Sequence, residues 1–331
     1  MIPFYKDIKL VNPDALHKKT ILITGSNGLI GGNLVAYFDY LSEKNNLQLS
    51  IIGVSRSKKE PWLPNSHHIN YIKEDLTQGQ LKALSFPFDY CIHAATYAQP
   101  KKILANPRQT VALNIHALFN ILEQSKKNKA RVLYISSSEI YGETNNKKPA
   151  LESYFGSVNT LSDRAIYAES KRLAESICYQ YHRTVSITIA RILLSYGPGV
   201  KYDDKRVYSE FIRQAQTTGK ITMMNAGRAK RAFCFITDTI EMLINCMLSG
   251  KELVYNIAGQ DSTTISELAQ KIAHLNNSQF MGYTNKNQEI SGTPINSIIS
   301  NSRYCSEFQK KTFVGFSEGL QAISSWFKNI K

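Results

Sequence analysis

Apolar, β-branched runs recur through the first two hundred residues: "TILIT" at 20–24, "LSIIGVS" at 49–55, "YCIHAA" at 90–95, "RVLYIS" at 131–136 and "VSITIARI" at 185–192. Each is of strand length, and helix-length segments separate most of them, among them "GSNGLIGGNLVAYFDYL" and "NPRQTVALNIHALFNILEQSKKN". Strands that alternate with helices predict an α/β architecture in which a parallel sheet is covered on both faces. The pattern changes after "YGPG" at 196–199, where a polar loop, "VKYDDKRVYSE", leads into mixed short elements. We therefore expect a first domain over 1–195 and a smaller α/β lobe over 196–331. That lobe closes with the amphipathic helix "EGLQAISSWFKNI" after a polar stretch from about 284 that resists assignment.

The turn after the first strand narrows the fold. Gly25, Gly28 and Gly31 follow it as G-x-x-G-x-x-G. Missing side chains there permit a tight turn and let backbone N–H groups at a helix N-terminus approach a diphosphate. Glycine spacing alone is weak evidence, but its place between an apolar strand and a helix is the context a dinucleotide site demands. The expectation is a Rossmann-type, doubly wound parallel sheet whose cofactor, NAD or NADP, lies against Gly25, Asn27, Gly28, Leu29, Ile30 and Gly31. "HAA" places the small residues Ala94 and Ala95 where another strand end would meet that cofactor, while His93 reads as a satisfied core histidine. The second strand ends in "GVSRSKK" with no acidic residue for a ribose hydroxyl, and Arg56 could instead accept a 2′-phosphate.

Composition changes little in this picture. The chain has 331 residues, 43% hydrophobic and 20% charged, enough for a sizeable core. A formal charge of +14 invites a nucleic-acid reading, but the basic residues are spread out in short clusters and read as a solvated surface or as complement to an anionic small molecule. No run is long and apolar enough for a membrane span, and "MIPFYKDIKL" lacks a secretory pattern, so a cytoplasmic protein is expected. Five scattered cysteines without a CxxC pair suggest reduced thiols and no metal site.

"IYAESKRLAE" at 166–175 puts Tyr167 four positions before Lys171 on a predicted helix, so both share a face. Tyr5 and Lys9 repeat the spacing without supporting context. Tyr167 follows, one connection later, the strand and turn "RVLYISSSEIYG", which supplies hydroxyls and a carboxylate. A neighbouring ammonium is expected to lower the phenol's pKa and fit it to take a proton from a sugar hydroxyl.

From about 18 to 270 the chain resembles the extended short-chain dehydrogenases that act on nucleotide sugars. The resemblance implies an adenine-recognition pair at Asp75 and Leu76, a catalytic hydroxyl at Ser137, a general acid/base at Glu139 in "SSEIYG", a helix asparagine at Asn114 and a sugar- or diphosphate-binding Arg231. It also implies a lysine, Lys171, that holds the nicotinamide ribose, a tightly bound cofactor and a homodimer. "RAIYAESKRLAE" is most similar to the R-S-C-Y-x-E-x-K-R-x-A-E of UDP-glucuronate decarboxylases, keeping Arg164, Glu169, Arg172 and Glu175, and "DDKRVYSEF" echoes their D-G-R-V-V-S-N-F. Ser137, Ser138 and Glu139 stand for their Thr-Ser-Glu, which puts Ser138 beside the substrate; GDP-mannose dehydratases share Ser-Glu and bind NADP. Two positions depart: Leu194 replaces an asparagine near the substrate, and "GTPINSIIS" lacks the arginine of a phosphate clamp.

The implied chemistry is oxidation at C4 of a nucleotide-diphosphate sugar, followed by decarboxylation, dehydration or epimerisation with the cofactor recycled. Two alternatives stay open: an NADPH-dependent reductase of a 4-keto nucleotide sugar, and a non-catalytic dinucleotide-sensing protein on the same fold.

Overall fold

Thr20–Thr24 (β1) is the strand its apolar run predicts, with Ile21, Leu22 and Ile23 fully buried, each contributing about 1.5–3 kcal/mol of transfer free energy. The computed structural model that shows this describes residues 5–78, 81–144, 148–284 and 296–330. Ser50–Ser55 (β2), Ile69–Lys73 (β3), Tyr90–His93 (β4), Arg131–Ser137 (β5) and Ser186–Ile192 (β6) join β1 in one parallel sheet. Its order is β3-β2-β1-β4-β5-β6, with Val254–Ile257 as a seventh strand beside β6. The winding direction reverses between β1 and β4, so a crevice opens at the carboxyl ends of these two strands, where doubly wound sheets bind ligands.

The segment 106–128, read from sequence as one helix, is interrupted. Pro107–Val111 and Ala117–Asn128 are α-helical, but Ala112–His116 forms a π-turn between them. Such bulges accompany functional sites in other folds. Here the turn carries Asn114 into the core, where its amide donates to Ser170 Oγ at 2.9 Å. That hydroxyl in turn donates to the carbonyl of Tyr167 at 2.9 Å, so the π-turn braces the helix Ala165–Tyr181.

Beyond 195 the chain does not stay in a separate lobe. Leu194–Tyr196, Lys230–Phe235, Ser262–Thr264 and Asn296–Ser297 make a small mixed sheet, and Lys220–Met223 pairs with Gln279–Tyr283. The chain then returns to the large sheet through Val254–Ile257. Between these excursions Ile236–Ser249 is buried from 236 to 248, the signature of a helix enclosed on all sides, and it packs against the helix Leu29–Asn45 (α1) and against β6. Phe316–Asn329 is the closing helix its periodicity predicts. Trp326 Nε1 donates to the carbonyl of Val200 at 2.8 Å, fixing that helix over the "YGPG" loop. Asn33 on α1 ties the same loop to the first half by donating to the carbonyl of Pro198 at 3.0 Å.

Candidate active site

The glycine turn is built for close approach. Gly25 sits at φ +73°, and a Cβ there would lie 2.9 Å from the backbone of Ala94 and Ala95. A Cβ on Gly31 would lie 2.3 Å from the carbonyl oxygen of Gly25, so α1 presses directly onto the turn. Gly28 caps α1 without a side-chain acceptor, leaving the first helical N–H groups to face a cleft of about 550 Å³. Gly25, Asn27, Gly28, Leu29, Ile30, Gly31, Arg56 and Ala94, all expected from sequence to meet a cofactor, line that cleft. Asn27 directs its amide hydrogens to Ser57 Oγ and to the carbonyls of Ser57 and Lys58, while its own buried Oδ1 has no partner. A side-chain-free turn, a helix N-terminus and a basic rim fit a dinucleotide diphosphate.

Four predicted cofactor residues lie elsewhere. Asp75 accepts from the N–H and hydroxyl of Thr77 two residues on, and Leu76 is buried in the core. Ala95 is buried behind Ala94 with its N–H on Thr24 Oγ1. Lys171 lies behind the cleft wall and is discussed below. His93 is the core histidine expected: Nδ1 pairs with Thr24 Oγ1 at 2.8 Å and Nε2 with the carbonyl of Leu113 at 3.0 Å. Burial, with Lys171 nearby, pushes its pKa down to about 3, so it is neutral. Tyr5, the other tyrosine with a lysine four residues on, is buried against α1 and donates to Asn33 Oδ1.

Ser137 ends β5 and caps the 3₁₀ turn Ser138–Tyr141, its Oγ accepting from the N–H of Glu139 at 3.2 Å. Accepting there leaves the hydroxyl proton for the side of Tyr167, whose pKa the serine pulls downward. Ser137, Ser138, Glu139 and Tyr167 all face the cleft. The residues around the tyrosine explain how this wall is held. Arg164 grips Glu139 with Nε and Nη2, and Arg172 donates to the carbonyls of Ile140 and Phe155. Glu175 accepts from Ser136 and forms a bidentate pair with Arg191, joining the tyrosine helix to β5 and β6. Glu169 sits 3.6 Å from Arg172.

The electrostatics differ from the sequence expectation. Burial first, then the carboxylate of Glu139, raises the pKa of Tyr167, against smaller downward pulls from the Ser137 hydrogen bond and Arg164. Lys171 is not among the groups acting on it. Its Nζ donates to the carbonyl of Ile135 at 2.7 Å and lies 4.6 Å from the centre of the Tyr134 ring. Burial pushes its own pKa down to about 7. On the shared helix face the lysine's hydrogen bond goes to the strand carbonyl of Ile135.

Arg231 lines the same wall, and burial and the nearby Arg164 lower its pKa. Leu194 also lines the cleft, as does Ser297 from the segment lacking the clamp arginine; 292–295 of that segment lie outside the described residues. Sequence reasoning missed the far side. Thr96, Tyr97 and Gln99 follow β4, and Lys201, Asp204 and Arg206 come from the polar loop after "YGPG". Gln99 donates to Asp204 at 2.8 Å, and Asp204 holds Arg206 through Nε and Nη2, so the two halves of the chain meet across the cleft. The echo "DDKRVYSEF" was the available signal. In all, six cationic and two acidic side chains line the cleft, a surface for a polyanion. Among the described residues no acidic, histidine or cysteine cluster could hold a metal ion, and no helix is long and apolar enough to cross a membrane.

Comparison with known proteins agrees with this geometry. UDP-glucuronic acid decarboxylase 6 of Arabidopsis thaliana is 34% identical over 261 residues, 77% of this chain and 74% of the plant protein. Among solved structures, an epimerase of Methanothermobacter thermautotrophicus superposes with a TM-score of 0.83 at 21% identity, covering 99% of this chain and 96% of its own. A UDP-glucuronic acid 4-epimerase of Bacillus cereus, solved with UDP-glucuronic acid and NAD, gives 0.80 at 22% identity, covering 94% and 100%. Both structures share the fold. The sequence model of the NAD dependent epimerase/dehydratase family matches residues 21–258, through the glycine turn, the serine–tyrosine pair and the return strand, and the chain belongs to that family.

Proposed function

We propose that the protein oxidises C4 of a UDP-linked uronic acid and releases its C5 carboxylate as carbon dioxide, as the names of its plant relatives describe for them. The observation that carries this is the pairing of Glu139 with Arg164 in the same cleft wall as Ser137 and Tyr167. Bound at the glycine turn, NAD supplies the hydride acceptor and a positive ring. Tyr167 takes the proton of the C4 hydroxyl while Ser137 hydrogen-bonds the same oxygen, and hydride leaves C4 for the dinucleotide. A 4-keto sugar with a carboxylate on C5 is a β-keto acid, which loses carbon dioxide without a base at C5: the C5–C6 electron pair passes into an enolate over C5, C4 and O4, and C5 then takes a proton from solvent to restore the ketone. Dehydration would instead need a free base there, and both oxygens of Glu139 are held by Arg164. Arg231 on the same wall complements the sugar carboxylate or the diphosphate. The dinucleotide held at Gly25, Gly28 and Gly31 would supply the hydride that returns to C4, and so would not be consumed.

Arg56 at the rim favours one other reading, a reductase of 4-keto nucleotide sugars, which would consume NADPH in step with product. Exposed apolar side chains of Phe119, Ile166 and Leu173 on two neighbouring helices support pairing of two copies. Reduced cysteines and nucleotide-linked substrates support a cytoplasmic setting.

The test is mass spectrometry of UDP-glucuronate incubated with purified protein. Loss of carbon dioxide supports the proposal. Loss of water, or unchanged mass with altered NMR couplings, assigns dehydration or epimerisation instead, and Tyr167→Phe must reduce turnover on the order of 10²–10⁴-fold.

A further inference from the structure

We infer that the loop 201–206, latched across the cleft by Lys201–Glu60 and Gln99–Asp204, is the gate through which a dinucleotide enters and leaves. The inference rests on the reading of the cleft as a dinucleotide site and adds what governs exchange there. The loop runs from the "YGPG" turn to the helix Val207–Thr218, and its Lys201, Asp204 and Arg206 line the cleft opposite the glycine turn.

The root of the loop is fixed. The carbonyl of Pro198 accepts from Asn33 and that of Val200 from Trp326, whose ring meets the ring of Trp62 edge to face at 5.5 Å. Past this root the loop is tied to its own half of the chain. Arg213 on the following helix donates to the carbonyls of Tyr202 and Asp204, and Tyr202 packs against Phe327. Residues 201–206 therefore form one body with that helix.

The latches join this body to the other half of the chain. Lys201 Nζ pairs with Glu60 in the loop after β2, and Gln99 after β4 donates to Asp204 Oδ2 at 2.8 Å. β2 and β4 flank β1, so the loop is held down on both sides of the turn that would cradle the diphosphate. Either latch can open without stranding a buried charge. Asp204 is nearly buried, but Arg206 engages both of its oxygens and stays with it when the neutral Gln99 lets go. Lys201 and Glu60 are partly exposed and pass to water. Opening thus costs one hydrogen bond and one screened ion pair, while the core on either side stays packed. In the proposed cycle hydride leaves C4 and later returns to it, so a closed gate retains the reduced dinucleotide while the sugar is a ketone.

The experiment is stopped-flow energy transfer from tryptophan to NADH on nucleotide-freed wild type, Gln99→Ala and Glu60→Ala, with release measured by displacement with NAD+. The chain's two tryptophans, Trp62 and Trp326, both lie at the root of the loop and serve as donors. A gate limits entry and exit alike, whereas a group that only touches the nucleotide acts mainly on dissociation. We expect Gln99→Ala to raise both association and dissociation rates about 10- to 100-fold, the range for a hydrogen bond to a charged group, with the dissociation constant nearly unchanged. Glu60→Ala, outside the cleft lining, raises both about 2- to 5-fold, as a partly exposed ion pair allows. Rates left unchanged by either variant, or a rise confined to dissociation, overturn the gate and leave the dinucleotide site intact. If NADH does not bind wild type, the dinucleotide reading itself falls.

Discussion

Ser137→Ala isolates the contact on which the proton transfer depends. The hydroxyl and Tyr167 are both nearly buried, at 6% and 5% exposure, so water cannot replace the lost partner freely. A hydrogen bond to a charged group contributes about 1.5–3 kcal/mol. Because this one favours the ionised phenol, its removal raises the Tyr167 pKa further, by about 1–2 units at 1.36 kcal/mol each. At neutral pH the phenolate fraction, and with it the rate of C4 oxidation, falls about 10- to 100-fold, and the ascending limb of the pH–rate profile moves to higher pH to the same extent. The alanine also strips the N–H of Glu139 of its cap, for about 1 kcal/mol of stability and a melting temperature a few degrees lower. Ser137→Thr keeps the hydroxyl and restores both. The assay is the pH dependence of single-turnover absorbance at 340 nm on the accepted substrate. A rate loss equal at every pH would refute the reasoning, since the serine would then act on the substrate without acting on the phenol.

Three further outcomes follow from the same coordinates. Gly31→Ala drives a Cβ to 2.3 Å from the Gly25 carbonyl and separates α1 from the turn; calorimetry should find dinucleotide binding lost and thermal melting a stability cost of about 1–3 kcal/mol. Burial would raise the Asp204 carboxyl, but the charge and hydrogen bonds of Arg206 outweigh it and leave the pKa low, so this pair stabilises above the unfolded aspartate value and the gain is lost as pH falls through the folded one. Melting curves between pH 2 and 7 should accordingly show a shallower acid decline in Asp204→Asn than in wild type. Leu173→Glu places a charge on the exposed face of the tyrosine helix and converts the proposed dimer to a monomer in sedimentation velocity, with the far-ultraviolet circular dichroism unchanged.

The strands and the glycine turn were legible because each is dictated locally. Continuous apolar runs can be satisfied only between two covered faces, and Gly25 and Gly31 occupy positions where backbone atoms stand closer than any side chain permits. The π-turn at Ala112–His116 was not legible, since a one-residue shift in helical hydrogen bonding leaves the apolar period of the flanking helices nearly intact. Nor was the return through Val254–Ile257, which depends on the long-range pairing of that strand with β6. The far wall of the cleft escaped for the same reason: Gln99 and Asp204 meet across 105 residues of chain, and nothing local to either announces the other.

The tyrosine and lysine illustrate a subtler limit. Helical spacing correctly put both on one face, but the sign of a pKa shift is set by what fills the space between groups, which spacing does not encode. Lys171 turns to the carbonyl of Ile135, while burial first, and then the carboxylate of Glu139, pushes the phenol's pKa up. Burial and Glu139 together therefore work against ionisation of the phenol. A phenol made acidic by a lysine would be a base at all times; one held neutral by burial becomes a base only when the cofactor's cationic ring and the substrate are both in place. Difference ultraviolet titration against Tyr167→Phe separates the two cases. In nucleotide-free protein no tyrosinate from residue 167 appears below the ordinary tyrosine pKa of about 10, whereas adding oxidised dinucleotide brings its signal to lower pH; a signal near pH 7 before any addition would return the role to the lysine.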